Sequence, residues 1–370
     1  MTHELIKSLY KKYPHSEIQD MYKAIYQSVY GCGHLIADVS SAEDYIKKES
    51  VCAPSRGDVT ENLGEYTRVY LSAVKNGLSA HTLAELLKLS ASAELFKLSA
   101  SAELFKLSAS ADVTEDKNIK DAEMTELLDV LYGMAQNGEV NYDAKEVRGF
   151  IDDMAAHHYP PCHHSDSYRE EYKPAYRLIK TQYAVFMDAF TLIDELMNTE
   201  ESVIIAVDGT SAGGKTTFSR LAEKIYDCNV FHMDDFFLRK EQRTRERYDE
   251  PGGNVDRERF LEEVLLPLSR GDSVRYRPFD CGTLTVTDGW DIPKKKLNIV
   301  EGAYSMHPSL VGYYNASVFV YSSPEVQRER IKKRNPNMAE NFFDKWIPLE
   351  NKYFSAFGIK EKCDVVIEND

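Results

Sequence analysis

The chain has 370 residues, which is more than most single hydrophobic cores hold, so two domains are expected. Its formal net charge of −15 would repel a polymeric nucleic acid or an anionic membrane surface, so neither is predicted as a partner. The 6 cysteines include no Cys-x-x-Cys pair, and no apolar run is long enough to span a bilayer. We therefore predict a cytoplasmic protein with reduced thiols. A homo-oligomer is compatible with the sequence.

The first 197 residues are predicted to form a mainly helical domain. Apolar residues recur at helical spacing through about Lys48, again from Ala122 to Met134, and again from Asp143 to Ala155. A further long helix is predicted from about Tyr168 to Met197, followed by a joint at NTEES. The sequence does not indicate what this domain does.

A nine-residue unit occurs three times between about residues 86 and 111, as LLKLSASAE, LFKLSASAE and LFKLSASAD. Nine steps turn an α-helix by about two and a half turns, so successive copies would face opposite sides. Such a unit is a poor building block for a stacked repeat. We interpret it as a tandem duplication tolerated in a surface helix or loop, rather than as an interaction surface.

The end of the helical domain is rich in histidine around Pro160, Pro161 and Cys162. The four histidines are His157, His158, His163 and His164. A metal site is one interpretation, but prolines exclude the helical spacing of a zinc motif. A polar loop that pairs with the rest of its domain is favoured, through Tyr168, Arg169, Tyr172, Tyr176 and Arg177. His34, which follows Gly31 and Gly33 near a predicted chain reversal, is likewise interpreted as a hydrogen-bonded structural residue.

The stretch VIIAVDGTSAGGKTTFSRLAEKI, from Val203 to Ile225, predicts a buried strand, a glycine-rich loop and a helix. It fills the G-x-x-x-x-G-K-[ST] template. Glycines let backbone N–H groups curl round a phosphate, and the helix N-terminus adds further donors. Lys215 would reach the β- and γ-phosphates, and the Thr216 hydroxyl would ligate Mg²⁺. The predicted ATP-binding residues are Gly209, Thr210, Ser211, Ala212, Gly213, Gly214, Lys215, Thr216 and Thr217.

Beyond the loop, strand and helix patterns alternate, which predicts an α/β fold with a P-loop NTPase-type parallel sheet flanked by helices. Asp234 and Asp235 follow one short apolar strand, and Glu301 follows another at Leu297 to Val300. Carboxyl ends of parallel strands form the ligand crevice of such a sheet. An acid there can accept a proton or hold a metal, so Thr216, Asp234 and Glu301 are the predicted Mg²⁺ ligands.

A basic run, RERIKKRN, follows the apolar stretch SVFVYSS. It is either a solvated helix face or a lid that closes on phosphates, and arginine suits the spread charge of a phosphoryl group in transfer. The lid interpretation is favoured, with Arg328, Arg330 and Arg334 as the candidate arginines.

From about Val203 to Asp370 the sequence resembles the uridine kinase and phosphoribulokinase branch of P-loop kinases. The motif Asp-x-Phe-Tyr of that branch is matched by residues 234–237, with Phe237 in place of tyrosine. The segments YDEPGGNVD, YRPFDC, the Glu-Gly at 301–302 and CDVVIEND continue the resemblance. The first half resembles the N-terminal extension of some bacterial uridine-kinase-like proteins.

This resemblance implies that Asp234 is the general base and that Lys215 and the lid arginines act with it. It places four residues near the acceptor: Asp256, Tyr276, Arg277 and Phe279. We therefore expect ATP-dependent phosphoryl transfer, assisted by Mg²⁺, to the hydroxyl of a small molecule, with a nucleoside such as uridine as the favoured acceptor. The alternatives are a kinase for a sugar phosphate or pantothenate, and an ATP-binding regulatory protein without transfer activity.

Overall fold

The computed structural model describes residues 1–31, 38–91 and 111–370. These residues form two compact units, Met1–Ala184 and Val185–Asp370. The division lies before the NTEES segment, so the helix that ends there belongs to the second unit. His34 and most of the nine-residue repeat lie outside the described residues. Within the described ranges, no helix has both the length and the apolar character needed to cross a membrane.

The first unit is mainly helical, as predicted, and its helices surround a small antiparallel sheet. Its helices are α1 (His3–Lys12), α2 (Ile18–Tyr30), α3 (Val39–Cys52), α4 (Ser72–Lys75), α5 (residues 80–91), α6 (Ala111–Gln136), α7 (Ala144–Ala156), α8 (Asp166–Tyr172) and α9 (Thr181–Ala184). Its strands are β1 (Thr60–Asn62), β2 (Tyr66–Tyr70) and β3 (Tyr176–Lys180), in the order β1-β2-β3.

The predicted long helix from Tyr168 to Met197 is wrong. Helix α8 ends at Tyr172 because Lys173 adopts a left-handed conformation, with φ of 43°, and Pro174 follows it. The chain then forms β3, which pairs antiparallel with β2 along its whole length. The spacing of apolar residues within this segment does not predict strand β3, because its pairing partner, β2, lies far away in the sequence.

An ion pair is buried in the sheet of the first unit. Arg68 on β2 donates from Nη1 to Oε2 of Glu61 on β1 at 2.9 Å, and Arg68 is only 1% exposed. Glu61 also accepts hydrogen bonds from Tyr13 at 2.6 Å and from Lys12 at 2.9 Å. Burial alone would raise the pKa of Glu61, but the charge of Arg68 and the hydrogen bonds from Tyr13 and Lys12 lower it to about 2.

Glu61→Ala is expected to lower the free energy of unfolding of the first unit by about 3–5 kcal/mol, because it leaves the Arg68 guanidinium buried without its counter-charge. Asp129→Ala, which breaks an exposed pair with Arg148, is the control and should cost less than about 1 kcal/mol. Urea unfolding of the full chain measures both. Equal midpoints for Glu61→Ala and the wild type would contradict the assignment.

The same pair makes stability depend on pH. The folded pKa of Glu61, about 2, lies below the ordinary value of 4.5, so its contribution is fully present above about pH 4.5 and is lost as the pH falls toward 2. Urea midpoints measured across this range should therefore vary less with pH in Glu61→Ala than in the wild type.

The first copy of the nine-residue repeat begins inside the core. Leu86, Leu87 and Ala91 are buried, and the Ser90 hydroxyl accepts a hydrogen bond from the backbone N–H of Lys180 at 2.9 Å. The repeat is therefore not a surface feature throughout, because the beginning of its first copy packs as part of α5.

Deleting Leu95–Glu103, one whole copy, is expected to leave the thermal unfolding temperature within a few degrees of the wild type, as the interpretation of the repeat as a tolerated duplication predicts. Leu86→Ala is the contrast, and should cost about 2–5 kcal/mol because it opens a cavity in the core. Thermal denaturation followed by circular dichroism compares them. A deletion as damaging as Leu86→Ala would show that the second copy is also part of a core.

The second unit contains the predicted parallel sheet. Its five strands are β4 (Val203–Gly209), β5 (Cys228–His232), β10 (Leu297–Glu301), β11 (Ala316–Tyr321) and β12 (Val365–Glu368), in the order β12-β11-β4-β10-β5. Two further antiparallel sheets of two strands each pair β6 (Val274–Tyr276) with β9 (Trp290–Ile292) and β7 (Phe279–Asp280) with β8 (Thr285–Val286). Strand β4 is buried along its whole length, as expected for a central strand covered on both faces.

The helices of this unit are α10 (Met187–Thr199), α11 (Lys215–Ile225), α12 (Arg245–Asp249), α13 (Arg257–Phe260), α14 (Leu266–Arg270), α15 (Pro324–Arg334), α16 (Ala339–Asn341), α17 (Ile347–Phe357) and α18 (Ile359–Lys362). From β4 the chain passes to β5 at one edge, returns to β10, and then crosses β4 to reach β11. The strand order therefore reverses beside β4, and ligands bind such sheets at the carboxyl ends next to this reversal.

Candidate nucleotide-binding site

The glycine-rich loop joins β4 to α11, as predicted. Gly209 and Gly214 have φ of 142° and 118°, which favours glycine at both positions. A Cβ on Gly209 would overlap the carbonyl oxygen of Val320, and one on Gly213 would lie 2.7 Å from the same oxygen. The glycines thus allow the loop to pack closely against β11. This packing requires glycine here independently of any phosphate contact.

The loop presents donors suited to an anion. The first N–H groups of α11 have no partner within their own helix, and the positive end of the helix dipole lies beside them. Lys215 Nζ donates to the carbonyl oxygens of Gly209 at 2.9 Å and Thr210 at 3.0 Å, which folds the ammonium group over the loop. The Thr210 hydroxyl is buried without a partner among the described residues. These features fit a bound phosphate group.

Glu301 ends β10, beside the loop. Its Oε1 lies 2.6 Å from Nδ1 of His232, the residue directly opposite it on β5, and accepts a hydrogen bond from Thr216 at 3.4 Å. Burial would raise the pKa of Glu301, but the hydrogen bond with His232 and the charge of Lys215 lower it. The same hydrogen bond raises the pKa of His232.

Asp234 lies in a short 3₁₀ turn after β5 and is accessible to solvent. The protein around it still desolvates its carboxyl group enough to raise its pKa from 3.8, and the negative charge of Glu301 acts in the same direction, whereas Lys215 opposes it. An accessible carboxylate with a raised pKa, close to the ammonium group of Lys215, can accept a proton from a hydroxyl group.

Asp235 is oriented differently from its neighbour. The Tyr276 hydroxyl donates to Oδ2 of Asp235 at 2.7 Å and accepts a hydrogen bond from the backbone N–H of His232 at 3.1 Å. Asp235 therefore helps to hold the end of β5 against β6, and its carboxylate is already engaged within the protein.

The oxygens of Thr216, Asp234 and Glu301 fit the preference of Mg²⁺ for hard ligands. Mg²⁺ usually keeps several waters and binds substrate phosphates together with one or two carboxylates. Across the part of the chain that the structure describes, no three or more His, Cys, Asp or Glu side chains group closely enough to hold a metal by themselves. These three residues are thus suited to a metal that arrives with phosphates.

Two buried acids that no sequence motif marks, Asp208 and Glu350, support the glycine-rich loop. Asp208 is fully buried and accepts hydrogen bonds from the backbone N–H of Met306 at 3.0 Å and from the Tyr353 hydroxyl at 2.8 Å. Glu350 accepts from the N–H of Ser211 at 2.9 Å and from its hydroxyl at 2.5 Å. Burial raises the pKa of both acids. Three-residue spacing puts Glu350 and Tyr353 on one face of α17, but no local motif marks them.

The three predicted lid arginines lie on or at the end of α15 but do not converge. Arg330 donates from Nη1 to the carbonyl oxygen of Asn369 at 2.6 Å and lies 3.5 Å from that of Ala212 in the loop. Arg328 is exposed, with its guanidinium group 4.3 Å from the centre of the Phe343 ring, and Arg334 is exposed. Arg328 and Arg330 are two positions apart on the helix and therefore face different sides.

Two of the predicted acceptor residues lie behind the acid pair. Tyr276 contacts Asp235 directly, as described above. Asp256 is fully buried, where it accepts a hydrogen bond from the N–H of Arg259 at 3.2 Å and pairs with Arg239 at 3.1 Å. Asp256 thus caps α13, and its Oδ2 also lies 3.7 Å from Nε of the buried Arg259.

The other two acceptor candidates are also engaged within the unit. Arg277 pairs with Glu263, with Nε 3.3 Å from Oε2, and Phe279 is buried. Phe237, which replaces the tyrosine of the family motif, forms an isolated antiparallel bridge with Val255. The structure brings Lys215, Thr216, Asp234 and Glu301 together, whereas Asp256 and the backbone carbonyl of Arg277 contact α13.

In the first unit, the histidine-rich segment pairs within its own unit, in line with the favoured interpretation. His164 is buried, with Nδ1 2.9 Å from Oδ1 of Asp20 and Nε2 2.8 Å from the Tyr176 hydroxyl. Its ring stacks on Tyr168 at 4.2 Å between centres. Burial lowers the pKa of His164 to about 4.

These features define the P-loop class of nucleotide-binding folds: a glycine-rich loop joins the central strand of a parallel sheet to a helix, and acids lie at the ends of the neighbouring strands.

No family model matches the chain. Over 141 residues it is 31% identical to a uridine kinase from Shewanella amazonensis, a match that covers 34% of this chain and 64% of that relative. The chain thus spans less than two thirds of the relative. The resemblance to uridine kinases that the motifs predicted is confirmed by this match.

Two solved structures are also similar. A possible uridine kinase from Bacillus stearothermophilus is 19% identical with a TM-score of 0.36, over 49% of this chain and 99% of that one. A protein from Thermus thermophilus is 17% identical with a TM-score of 0.28, over 46% of this chain and 90% of that one.

Proposed function

We propose that the second unit transfers a phosphoryl group from ATP to the hydroxyl group of a small molecule, with a nucleoside such as uridine as the favoured acceptor. The observation that carries the proposal is the meeting of Lys215, Asp234 and Glu301 at the carboxyl ends of β4, β5 and β10. A P-loop lysine, a free acid and a buried acid beside the loop threonine are the groups that phosphoryl transfer requires.

In this proposal the loop N–H groups and Lys215 hold the phosphates of ATP. Thr216, Glu301 and Asp234 would hold Mg²⁺, which supplies positive charge to the phosphate oxygens when it is bound. The hydrogen bond between His232 and Glu301 fixes that carboxylate at the end of β10. The site thus acts by positioning and by fixed charge, as phosphoryl transfer generally requires.

Asp234 would accept the proton of the acceptor hydroxyl group. It is accessible, whereas Asp235 beside it is engaged by Tyr276. Its raised pKa makes it a better base than an ordinary aspartate.

The acceptor would bind near Tyr276, in a pocket wall supported by Asp256, Arg277 and Phe279. Arg330, which contacts the loop, would act with Arg328 and Arg334 when the arginine segment closes over the phosphates. The cysteines are free among the described residues, as expected in a reducing compartment, so we place this activity in the cytoplasm.

The test is product formation from a panel of acceptors with radiolabelled ATP and Mg²⁺, in which the label is followed by thin-layer chromatography. The panel holds uridine, cytidine, adenosine, a sugar phosphate and pantothenate. Label on a nucleoside supports the proposal. Label only on the sugar phosphate or pantothenate changes the acceptor class, and ATP binding without transfer to any acceptor identifies a regulatory protein instead.

A further inference from the structure

The first unit contains a cavity of about 500 Å³ that the proposed kinase reaction does not use. Its walls come from α2, α3, α5, β3 and the segment around Cys162, all within the first unit. The lining includes Lys23, Tyr26, Gln27, Tyr45, Tyr176 and Leu178. The volume falls within the range of about 300–1,000 Å³ that is typical of small-molecule sites.

Lys23 gives the cavity its charge. Its side chain is half-buried, and its ammonium group donates to the carbonyl oxygen of Cys162 at 2.6 Å. Among the described residues, no carboxylate forms an ion pair with it, and burial lowers its pKa. The other charged groups of the lining, Arg177 and Glu49, pair with each other at 2.9 Å. The lining therefore carries one uncompensated positive charge in a partly desolvated place, which an anion would stabilise.

One wall of the cavity is held rigidly by the polar network around Arg68. Arg68 donates twice to Oε1 of Gln27, at 2.9 and 2.7 Å, which fixes the amide so that Nε2 donates to the Tyr176 hydroxyl at 3.1 Å. The guanidinium group lies 4.7 Å from the centre of the Tyr176 ring, and His164 contacts the same hydroxyl. A wall that is already ordered loses little entropy when a ligand binds.

Aromatic and apolar side chains form the rest of the lining. Tyr26, Tyr45 and Tyr176 contribute rings, and Leu87 and Leu178 contribute apolar surface. Tyr45 lines the cavity and is 61% exposed, so its ring is accessible to a ligand. Rings of this kind stack on flat ligands and bury much surface at low entropic cost.

We propose that this cavity binds a small molecule made of an aromatic or heteroaromatic ring and one anionic group, with the anion at Lys23 and the ring among the tyrosines. The first unit is then a ligand-binding unit with its own site. This inference stands independently of the proposed kinase activity, because no residue of the cavity belongs to the second unit.

The probe is 1-naphthoate, with the uncharged 1-naphthalenemethanol as its matched analogue, and binding to the full chain is measured by saturation-transfer NMR at millimolar concentration. The wild type should bind naphthoate more tightly than the alcohol. Lys23→Met should raise the Kd for naphthoate at least about tenfold, the loss expected for a hydrogen-bonded charge. Lys145→Met removes an exposed lysine of the same unit and should leave the Kd unchanged. Lys215→Ala, which alters the phosphate loop of the second unit, should also leave the Kd unchanged.

A second variant keeps the test decisive if Lys23→Met does not fold. Ala42→Phe would place a ring in the cavity from the wall formed by α3, and should block naphthoate while the thermal unfolding temperature stays close to that of the wild type. The proposal is overturned if the wild type does not bind naphthoate, or if a folded Lys23→Met binds it as tightly as the wild type. It is also overturned if a folded Ala42→Phe binds naphthoate unchanged, or if Lys215→Ala weakens binding as much as Lys23→Met does.

Discussion

Replacing Lys215 with alanine is expected to reduce phosphoryl transfer at least about 10²-fold, because its ammonium group is folded over the phosphate loop. The fold should persist, since the lost hydrogen bonds are local to Gly209 and Thr210 and the surrounding strand stays buried. Turnover with labelled ATP, ATP affinity and circular dichroism together measure the effect.

Lys224→Ala provides the matched control for this experiment. Lys224 is exposed in the last turn of the same helix, so its loss changes the net charge by the same amount without reaching the loop. Turnover of the control should stay within about twofold of the wild type, as expected for a surface substitution. Wild-type turnover in Lys215→Ala, with any acceptor, would rule out the proposed ATP site.

Asp234→Asn is expected to lower turnover by about 10² to 10⁴, the range for loss of a general base, while ATP still binds. Asp235→Asn should do much less, because that carboxylate accepts a hydrogen bond from Tyr276 and an amide oxygen can accept the same bond. The two variants are matched in chemistry and differ by one position. Turnover at saturating Mg²⁺ and ATP decides between them. Greater damage from Asp235→Asn, or no effect from either, would contradict the assignment of the base.

The pH dependence of turnover tests the same assignment independently. A base must be unprotonated to act, so turnover should fall as the pH drops through the pKa of Asp234, which lies above the ordinary value of 3.8. This acid limb should be absent from the residual activity of Asp234→Asn. If the limb persists unchanged, another group controls it.

The parts of the fold that could be predicted are those whose physical causes are local. The strand, loop and helix from Val203 to Ile225 follow from an apolar run, glycines at positions of positive φ and a helical apolar period. The placement of Asp234 and Glu301 at strand ends follows from the rule that parallel strands share one carboxyl edge.

The parts that could not be predicted depend on contacts between distant segments. The segment of β3 was predicted to be helical, because it is its pairing with the distant strand β2 that stabilises the extended conformation. The contact between His232 and Glu301 could not be predicted, because it depends on the sheet order that places β5 beside β10. The engagement of Asp256 and Arg277 in ion pairs could not be distinguished from acceptor binding, since both uses require the same charged residue types.

The close packing behind the glycine-rich loop has a consequence for the order in which the second unit is built during synthesis. Ser211 is held by Glu350, which lies 139 residues later, and the carbonyl oxygen of Gly213 accepts from Asn369, which lies 156 residues later. Contacts across such separations form late, because the entropy of closing long loops opposes them until other structure is in place. A ribosome-bound chain that has already exposed the whole glycine-rich motif would therefore lack these contacts of the loop until Glu350 and Asn369 had emerged.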